Sequence, residues 1–360
     1  MLDALPTPVL LAIFAAAAVA VWLAGVHLSN TTDVLSTRLG LGEALGGLIL
    51  LAVATNLPEV AITVSAALGG NLGIAIGNIL GGIALQTVVL VILDVVGVGP
   101  SAPLTYRAAS LVLVLEGVLV IAVLIVAIMG SRLPASLIAA RVAPDGLLIA
   151  VLWLVGIWLL GKARRGLPWH DAHGNAPDSQ PEPPGVARKK KAEAARQVGV
   201  GTGRSVAVFV GAAAVTLVAG VALEESGTVV AGRVGMSGVL FGATVLAAAT
   251  ALPEVSTGLA AVRLGDYQLA FSDIFGGNAF LPVLFLLASV VSGQSVLPQA
   301  QDTDIYLAGL GILLTTVYLY GLIFRPRRQI LRMGIDSFAV LLLYALGTVG
   351  LVAVATNQHT

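Results

Sequence analysis

The chain has 360 residues, of which 58% are hydrophobic and only 11% are charged, and its formal net charge is zero. A mean hydropathy of +0.98 excludes an ordinary water-soluble domain and indicates an integral membrane protein. The sequence contains no cysteine, which excludes disulfides, thiolate metal sites and cysteine catalysis.

Apolar segments of about 20 residues, long enough to cross a bilayer, recur along the chain. They predict an all-α integral membrane protein with about ten transmembrane helices. We interpret the first segment as a retained helix and not as a signal peptide, because Asp3 precedes it instead of a basic region. The predicted spans are 8–28, 43–68, 72–96, 108–130, 144–161, 205–223, 237–262, 267–291, 304–324 and 335–355.

Residues 166–203 interrupt this pattern with proline-rich and basic sequence, including Arg188-Lys189-Lys190-Lys191. Such a segment has too little apolar surface to offset the entropy of ordering, so we predict a disordered cytoplasmic linker. It would separate a first five-helix repeat, 1–165, from a second, 204–360. The basic run fits a topological anchor, or contact with anionic lipid headgroups. His170 and His173 give only weak support for regulation by a metal.

The two halves are related in sequence. A shift of 195 residues overlays 39–60 on 234–255 with eleven identities in twenty-two positions. Since five helices is an odd number, the second repeat would enter the membrane from the opposite side. The sequence therefore predicts inverted repeats, in which interrupted helices of both halves meet at a midplane site.

The distribution of basic residues predicts the orientation. With the N-terminus outside, sixteen of nineteen Lys and Arg residues fall inside, which satisfies the positive-inside rule. We therefore expect a multi-pass protein of the plasma (inner) membrane with both termini outside. Its expected partners are the lipid bilayer and inorganic cations, with no nucleic acid and no obligatory protein partner. Acidic residues assigned to the outer loops fit either a weakly cation-attracting mouth or simple loop solvation: Asp145, Glu224, Glu225, Asp302 and Asp304.

The strongest site signal is a repeated Pro-Glu segment inside two apolar spans. Ala54-Thr55-Asn56-Leu57-Pro58-Glu59-Val60 returns as Ala249-Thr250-Ala251-Leu252-Pro253-Glu254-Val255. A carboxylate at the bilayer centre costs about 2.5–3.5 kcal/mol on insertion scales. Each proline also removes a backbone hydrogen bond, so both helices should break there and expose carbonyl oxygens.

The same spacing predicts the ligands. Thr55 and Glu59 are four residues apart, as are Thr250 and Glu254, so each pair would share a helical face. Two carboxylates, two hydroxyls and free carbonyls could supply about six to eight oxygens, the shell that Ca²⁺ prefers. We predict that Glu59 and Glu254 bind one Ca²⁺, two Na⁺ or two protons. Such a site would exchange its contents, because it is costly when empty and charged; no cofactor is expected.

Each half also carries a glycine-rich segment: Gly77-Asn78-Ile79-Leu80-Gly81-Gly82 and Ser272-Asp273-Ile274-Phe275-Gly276-Gly277-Asn278. Close helix packing explains the glycines. Gln86 shares a face with Gly82 and could add an amide oxygen. Asp273, which aligns with Asn78, fits a proton site, a charge on the access path or a hydrogen-bonded helix acid. Asn78, Asn278 and Asp273 are therefore accessory candidates.

Three further acids have no clear place in this site. Glu116, in the fourth span, has no counterpart in the other half, and pairing with Arg or another polar group is favoured over transport. Glu43 and Asp94 are expected near the cytoplasmic interface, where a charge costs little.

With these motifs the chain resembles the calcium/cation antiporter superfamily, especially the membrane region of prokaryotic sodium/calcium exchangers. The resemblance rests on the two Leu-Pro-Glu segments and the glycine motifs that follow them. It implies inverted five-helix repeats and calcium extrusion driven by Na⁺ or H⁺, with two peripheral helices sliding over a core. It also implies that Glu59 and Glu254 are the central Ca²⁺ ligands and that the oxygens of Thr55 and Thr250 face the ions.

The chain departs from the family pattern around these residues. The serine after the threonine is replaced by Asn56 and Ala251, and the closing Asn or Asp by Gln86 and Leu281. The losses fall where sodium exchangers hold sodium, whereas Asn56 and Gln86 are similar to residues of calcium/proton exchangers. Calcium is thus the expected substrate, and Na⁺ and H⁺ both remain open as coupling ion.

The residues fit three other functions less well than antiport. Gly235-Met236-Ser237-Gly238 resembles the serine motif of rhomboid proteases, but the only later histidine is His359, and Ser237 fits a helix N-cap. A channel would favour weak, multiple sites over two buried acids. A relative that moves another cation, or has lost transport, is the remaining alternative.

Overall fold

The computed structural model describes residues 2–38, 53–98, 102–164 and 202–357. Within these ranges eight helices are long and apolar enough to cross a membrane, and a bent helix pair gives a ninth span. The structure therefore confirms an all-α integral membrane protein. Glu43, most of the predicted linker and the first part of the second predicted span lie outside the described residues. The helices are α1 (Thr7–Arg38), α2 (Leu57–Leu68), α3 (Leu72–Ile92), α4 (Leu104–Ala108), α5 (Leu111–Gly130), α6 (Pro144–Arg164), α7 (Thr202–Arg233), α8 (Gly238–Thr250), α9 (Leu252–Leu264), α10 (Tyr267–Phe280), α11 (Leu284–Ser292), α12 (Asp302–Phe324) and α13 (Ile335–Asn357).

Two strands form a small antiparallel hairpin between α12 and α13. Strand β1 (Gln329–Ile330) pairs with β2 (Met333–Gly334), with Ile330 opposite Met333. Leu331 and Arg332 between them have φ values of 50° and 69°. This hairpin turns the chain back from the end of α12 to the start of α13.

The first helix of each half is longer than its apolar run predicts. Helix α1 continues to Arg38 and α7 to Arg233, about ten residues beyond the predicted ends. The polar residues in these extensions bond back to their own helix: Thr32 Oγ1 donates to the Leu28 carbonyl at 2.8 Å. Thr228 Oγ1 does the same to Glu224 at 2.6 Å. Because hydroxyls can satisfy themselves in this way, the end of hydrophobicity is not the end of the helix.

Both Pro-Glu segments interrupt a helix, as predicted. Helix α2 begins after a turn at Asn56, with Pro58 in its first turn. Helices α8 and α9 meet at Ala251 with a bend of 42°, and Pro253 opens α9. A proline is tolerated at this position because the N–H groups of the first helical turn have no acceptor within the helix. A third break, at Pro282 between α10 and α11, was not predicted.

The helices pack in three groups. Helices α1 and α7 lie along one another and cover α2 and α9. The central group is α2, α3 and α8 to α11, and α5, α6, α12 and α13 pack on its other side. Close contact in the centre depends on glycine. A Cβ at Gly81 would overlap Ala243, and one at Gly77 would lie 2.7 Å from the Val239 carbonyl oxygen. The predicted packing role of these two glycines is confirmed.

The acidic residues assigned to outer loops lie in helices instead, so that prediction is wrong. Glu224 and Glu225 are inside α7, Asp145 is in the first turn of α6, and Asp302 and Asp304 open α12. Asp145, Glu224 and Asp304 are buried. Asp304 caps its helix by accepting a hydrogen bond from the Gln301 backbone N–H at 2.8 Å. Asp304 thus secures a helix end, and Glu224 secures a contact between helices by accepting from the Ser65 hydroxyl.

Asp94 does not rely on solvent at an interface to satisfy its charge. It is fully buried and accepts hydrogen bonds from the backbone N–H groups of Leu104 at 2.8 Å and Gly334 at 2.7 Å. It thereby ties the end of the third span to the hairpin before α13. We call this side of the molecule the linker face. It holds Asp94, Leu104, the hairpin at Gly334 and the end of α6 at Arg164.

Basic residues gather at the linker face. The guanidinium groups of Arg325 and Arg327 each lie 4.9 Å from the centre of the Tyr106 ring. Arg107 donates to the Tyr267 hydroxyl at 2.7 Å. Arg107, Arg325 and Arg327 were all assigned to one side by the charge pattern, and the structure places them together.

Candidate cation site

The two repeated glutamates are buried at the start of helices that follow a break. Glu59 is 1% and Glu254 2% exposed, and each lies in the first turn of its helix, α2 or α9. A negative charge is favourable there, since the N-terminal end of a helix carries a partial positive charge. Pro58 and Pro253 have no N–H to offer the carbonyls of Ala54 and Ala249 four residues earlier. Each break thus places a carboxylate beside backbone oxygens.

Each of the two carboxylates interacts with groups of the other half of the chain. The Glu59 carboxylate interacts with the Thr250 hydroxyl of the other half, and the charge of Glu254 interacts with those of Glu59 and Asp273. Thr250 Oγ1 donates to the Ala247 carbonyl at 3.2 Å. Among the described residues, no group forms a hydrogen bond of good geometry with either carboxylate oxygen of Glu59 or Glu254.

In each half the predicted break falls between the threonine and its own glutamate. Thr55 lies before the turn at Asn56, and Thr250 ends α8 before the bend at Ala251. The break changes the direction of the chain between hydroxyl and carboxylate. It brings Thr250 to Glu59 across the halves, which a count of residues along one helix cannot show.

Asn56 and Gln86 meet beside Gly277. A Cβ at Gly277 would lie 3.1 Å from Asn56 Nδ2 and 3.7 Å from Gln86 Oε1. Asn56 Nδ2 is also 3.4 Å from Thr55 Oγ1. The small residue of α10 leaves room for both amides, which are buried. The structure therefore brings these two predicted ligands together.

The equivalent place in the other half is apolar. Gly82 corresponds to Gly277 under the 195-residue shift, and a Cβ at Gly82 would lie 3.7 Å from Leu281 Cδ1. Leu281 corresponds to Gln86. One half thus supplies an amide oxygen where the other supplies a methyl group, and the site is chemically unequal around its centre.

The accessory asparagines differ from each other. Asn78 is fully buried, and no described residue hydrogen-bonds to either end of its amide. Asn278 donates from Nδ2 to Thr87 Oγ1 at 3.1 Å and lies 3.4 Å from the Ile83 carbonyl. Its Nδ2 therefore ties α10 to α3, a role that was not predicted. The Asn78 amide and the Asn278 Oδ1, which accepts no hydrogen bond from a described residue, are both candidate ligands.

Asp273 lies between the linker face and the two glutamates Glu59 and Glu254, which we call the central pair. It is 8% exposed, and Thr257 Oγ1 donates to its Oδ2 at 2.7 Å. Thr257 is on α9, three residues after Glu254. The structure thus identifies Asp273 as a hydrogen-bonded helix acid whose charge also reaches Glu254. The involvement of Thr257 was not predicted.

Glu116 belongs to a separate cluster. Its Oε1 accepts from Arg164 Nη2 at 3.1 Å and from the Ser272 hydroxyl at 2.9 Å. Arg164 also lies 3.3 Å from Ser272 Oγ. The preferred interpretation, pairing with arginine and a polar group, is confirmed.

The central arrangement suits a hard cation. Its side chains offer carboxylate, hydroxyl and amide oxygens, with no sulfur and no histidine among the predicted ligands, and Ca²⁺, Mg²⁺ and Na⁺ prefer such oxygens. Two buried carboxylates without hydrogen bonds of good geometry would gain most from a positive charge between them. Ser237, by contrast, caps α8 by accepting from the Leu240 N–H at 3.3 Å, as predicted for the non-catalytic alternative.

Comparison with known proteins supports a transporter. The family model described as sodium/calcium exchanger protein matches residues 9–162 and 204–353. Inner membrane protein YrbG of Escherichia coli is 27% identical over 274 residues, 76% of this chain and 77% of the relative. Putative antiporter CaxA of Alkalimonas amylolytica is 26% identical over 306 residues, 83% of this chain and 86% of the relative.

The fold also has a counterpart among solved structures. The crystal structure of the H⁺/Ca²⁺ exchanger CAX superposes with a TM-score of 0.65 and 16% identity, covering 94% of this chain and 82% of that one. At this identity the match establishes the fold alone. The family match spans most of both halves, including both Pro-Glu segments. The protein is a secondary transporter and not an enzyme, and it belongs to the sodium/calcium exchanger protein family.

Proposed function

We propose that this protein exchanges Ca²⁺ for Na⁺ or H⁺ across the plasma (inner) membrane, at a midplane site built around Glu59 and Glu254. One observation carries the proposal. Two carboxylates, 1% and 2% exposed, lie close enough for their charges to interact and have no well-formed hydrogen bond from any described residue. Thr55, Thr250, Asn56 and Gln86 supply the neutral oxygens of this site.

The physical argument for exchange starts from the cost of an empty site. Burying an unpaired charge costs several kcal/mol even after the protein relaxes. Two adjacent carboxylates add mutual repulsion, so the site favours a bound cation or protons in every state. Release of one ion is then favourable only when another replaces it. This is how a buried carboxylate pair couples two ion movements in opposite directions.

Matched contacts support the inverted repeat on which a midplane site depends. A Cβ at Gly25 would lie 2.6 Å from Pro253 Cβ, and one at Gly220 would lie 3.1 Å from the Pro58 carbonyl oxygen. The shift of 195 residues turns the first contact into the second. Asn278 and Ile83, which are in contact, differ by the same 195 positions. A contact between equivalent residues is expected on the axis that relates two repeats.

The same contacts suggest the moving parts. Helices α1 and α7 pack on one another and touch the Pro-Glu segments through Gly25 and Gly220. Since glycine has no side chain to interdigitate, the helix surface is smooth where it covers each proline. We propose that the α1–α7 pair slides over the central helices and opens the site to one side at a time.

The basic linker face supports a proposal for the orientation. Arg107, Arg325 and Arg327 lie there, and cytoplasmic loops are enriched in such residues. We propose that this face is cytoplasmic and that both termini are outside. The linker, 166–203, would then join repeats 1–165 and 204–360 on the cytoplasmic side.

Flux of ⁴⁵Ca²⁺ into proteoliposomes tests the function. Purified protein is reconstituted, and uptake is measured under an imposed Na⁺ gradient, an imposed H⁺ gradient, or neither. We expect uptake under one of the two gradients, dissipated by the matching ionophore. Leu281, in the place of an oxygen ligand, leaves fewer oxygens for Na⁺. The H⁺ arm is thus expected to give the larger signal. Uptake in neither arm, by protein that binds Ca²⁺ or is demonstrably folded, would overturn the proposal in favour of another cation or an inactive relative.

A further inference from the structure

A polar groove leads from the linker face toward the central pair. It has a volume of about 150 Å³, and its polar lining consists of Ser29 and Asn30 on α1, Ser256 and Thr257 on α9, and Asp273 on α10. The volume is well above the roughly 10–15 Å³ that one water molecule requires. A row of polar side chains within spanning helices is costly against lipid, so it indicates contact with water or ions.

Burial increases along this groove. Asn30 is exposed, Ser256 and Thr257 are half-buried, and Asp273 is 8% exposed. Beyond Asp273 lies the fully enclosed Glu254, whose charge interacts with that of Asp273. Thr257 connects the two, because its hydroxyl is 2.7 Å from Asp273 Oδ2 and 3.3 Å from the Glu254 carbonyl oxygen. Oxygen donors thus continue from the surface to the central site.

The residues that line this groove differ from their counterparts in the other half. Under the 195-residue shift, Thr257 corresponds to Ile62 and Asp273 to Asn78, both fully buried. The counterpart of Ser29 is Glu224, whose carboxylate accepts from the Ser65 hydroxyl at 2.9 Å and so joins α7 to α2. At the counterpart positions, an amide thus replaces the carboxylate of Asp273 and an apolar side chain replaces the hydroxyl of Thr257.

We propose that Asp273 is an access ligand for the transported cation, specific to the linker face. This inference rests on the proposed function, because it assigns a path to the site of Glu59 and Glu254. A hard cation in the groove would sit between the Asp273 carboxylate and the Thr257 hydroxyl, exchange part of its hydration shell, and pass to Glu254. Asp273 would not serve a cation arriving from the opposite face. The two sides of the membrane would then differ in apparent affinity for the same ion.

The test measures ⁴⁵Ca²⁺ flux separately from each face. A cysteine introduced at Arg328, exposed on the linker face, reports vesicle orientation in a chain that has no cysteine of its own. The variant Asp273→Asn removes the charge, keeps the shape and reproduces the residue of the other half. We expect KM for Ca²⁺ to rise at least about fivefold from the linker face and to change less than about twofold from the opposite face, since a charge on the entry path acts mainly on association. Equal KM values from both faces, at the wild-type level, would overturn the inference.

A labelling experiment covers the case in which Asp273→Asn fails to fold. Ser256→Cys places a thiol in the groove, and Ile62→Cys places one at the buried counterpart of Thr257. We expect a charged, membrane-impermeant thiol reagent to modify Ser256→Cys from the linker face and to reduce flux at least about fivefold. Ile62→Cys should not react. Equal reactivity of both, or full flux after complete labelling of Ser256→Cys, would overturn the path. Absence of flux in the wild type would instead refute the proposed function.

Discussion

Two regions of this molecule bury a glutamate almost completely, yet they treat it in opposite ways. Glu116 is 3% exposed and is held by the Arg164 guanidinium at 3.1 Å and the Ser272 hydroxyl at 2.9 Å. Glu59 and Glu254 are at least as buried, but no described residue gives their oxygens a well-formed hydrogen bond. Where Glu116 has a positively charged neighbour, each of these two glutamates has the other carboxylate as its charged neighbour.

The difference separates a structural acid from an acid that handles cargo. A partnered buried carboxylate satisfies its desolvation cost inside the protein and has no need of an external ion. An unpartnered pair stays unsatisfied until an ion or proton arrives. Burial alone, which is nearly the same for all three residues, does not distinguish them. The hydrogen-bond partners do.

Neutralising the central pair should give the largest effect. We expect Glu59→Gln and Glu254→Gln each to lower ⁴⁵Ca²⁺ flux about 100-fold or more. Each substitution removes a negative charge that attracts the divalent ion in a poorly screened site. The unfolding temperature should stay equal or rise, because an unpaired buried charge is lost. Reconstituted flux and tryptophan-monitored unfolding measure the two effects.

The matched control is Glu225→Gln, a neutralised glutamate that is exposed on α7. It should keep flux within about twofold of the wild type, as surface substitutions usually have small effects. Wild-type flux in both Glu59→Gln and Glu254→Gln would contradict the site.

Glu116→Gln should show the reverse pattern. We expect a loss of about 1–3 kcal/mol in the free energy of unfolding, because Arg164 is left without its counter-charge. Flux per folded molecule should remain within about threefold of the wild type, a margin for indirect effects. Unfolding measured for Glu116→Gln, Arg164→Gln and the double variant gives their coupling energy. A large loss of flux with unchanged stability would place Glu116 in the transport path and remove the contrast.

The features that could be predicted from the sequence are those set by residues close together in the chain. The apolar runs identified the membrane class, and the repeated Leu-Pro-Glu identified two breaks. Prediction failed where partners come from distant segments. No residue near Glu116 in the chain predicts its partner Arg164, 48 positions away, and none near Glu59 predicts its neighbour Thr250. Glu224 was assigned to a loop because its charge ends an apolar run, whereas its partners Ser65 and Thr228 let it stay inside α7.

The neighbours of the two regions should differ as the glutamates do, with smaller effects. Gln86→Leu copies the residue found at the equivalent position of the other half, Leu281. We expect it to raise KM for Ca²⁺ about tenfold, the equivalent of roughly 1.4 kcal/mol for one lost oxygen ligand, and to leave stability unchanged or higher. Ser272→Ala, beside Glu116, should instead lower stability by about 1 kcal/mol and leave KM unchanged.

Leu281→Gln completes this comparison by restoring an amide opposite Gly82. If neighbours of the central pair serve the cargo, the added oxygen should change the relative flux under Na⁺ and H⁺ gradients by about two- to fivefold, the weight of about 0.4–1 kcal/mol. The increase is expected in the Na⁺ arm, since the departure from the sodium pattern lies at this residue. The roles of the two regions would be reversed by one pattern of results. In that pattern, the affinity for Ca²⁺ is unchanged in Gln86→Leu and in Leu281→Gln but changes in Ser272→Ala. Ion handling would then follow the partnered glutamate, and the unpartnered pair would need another explanation.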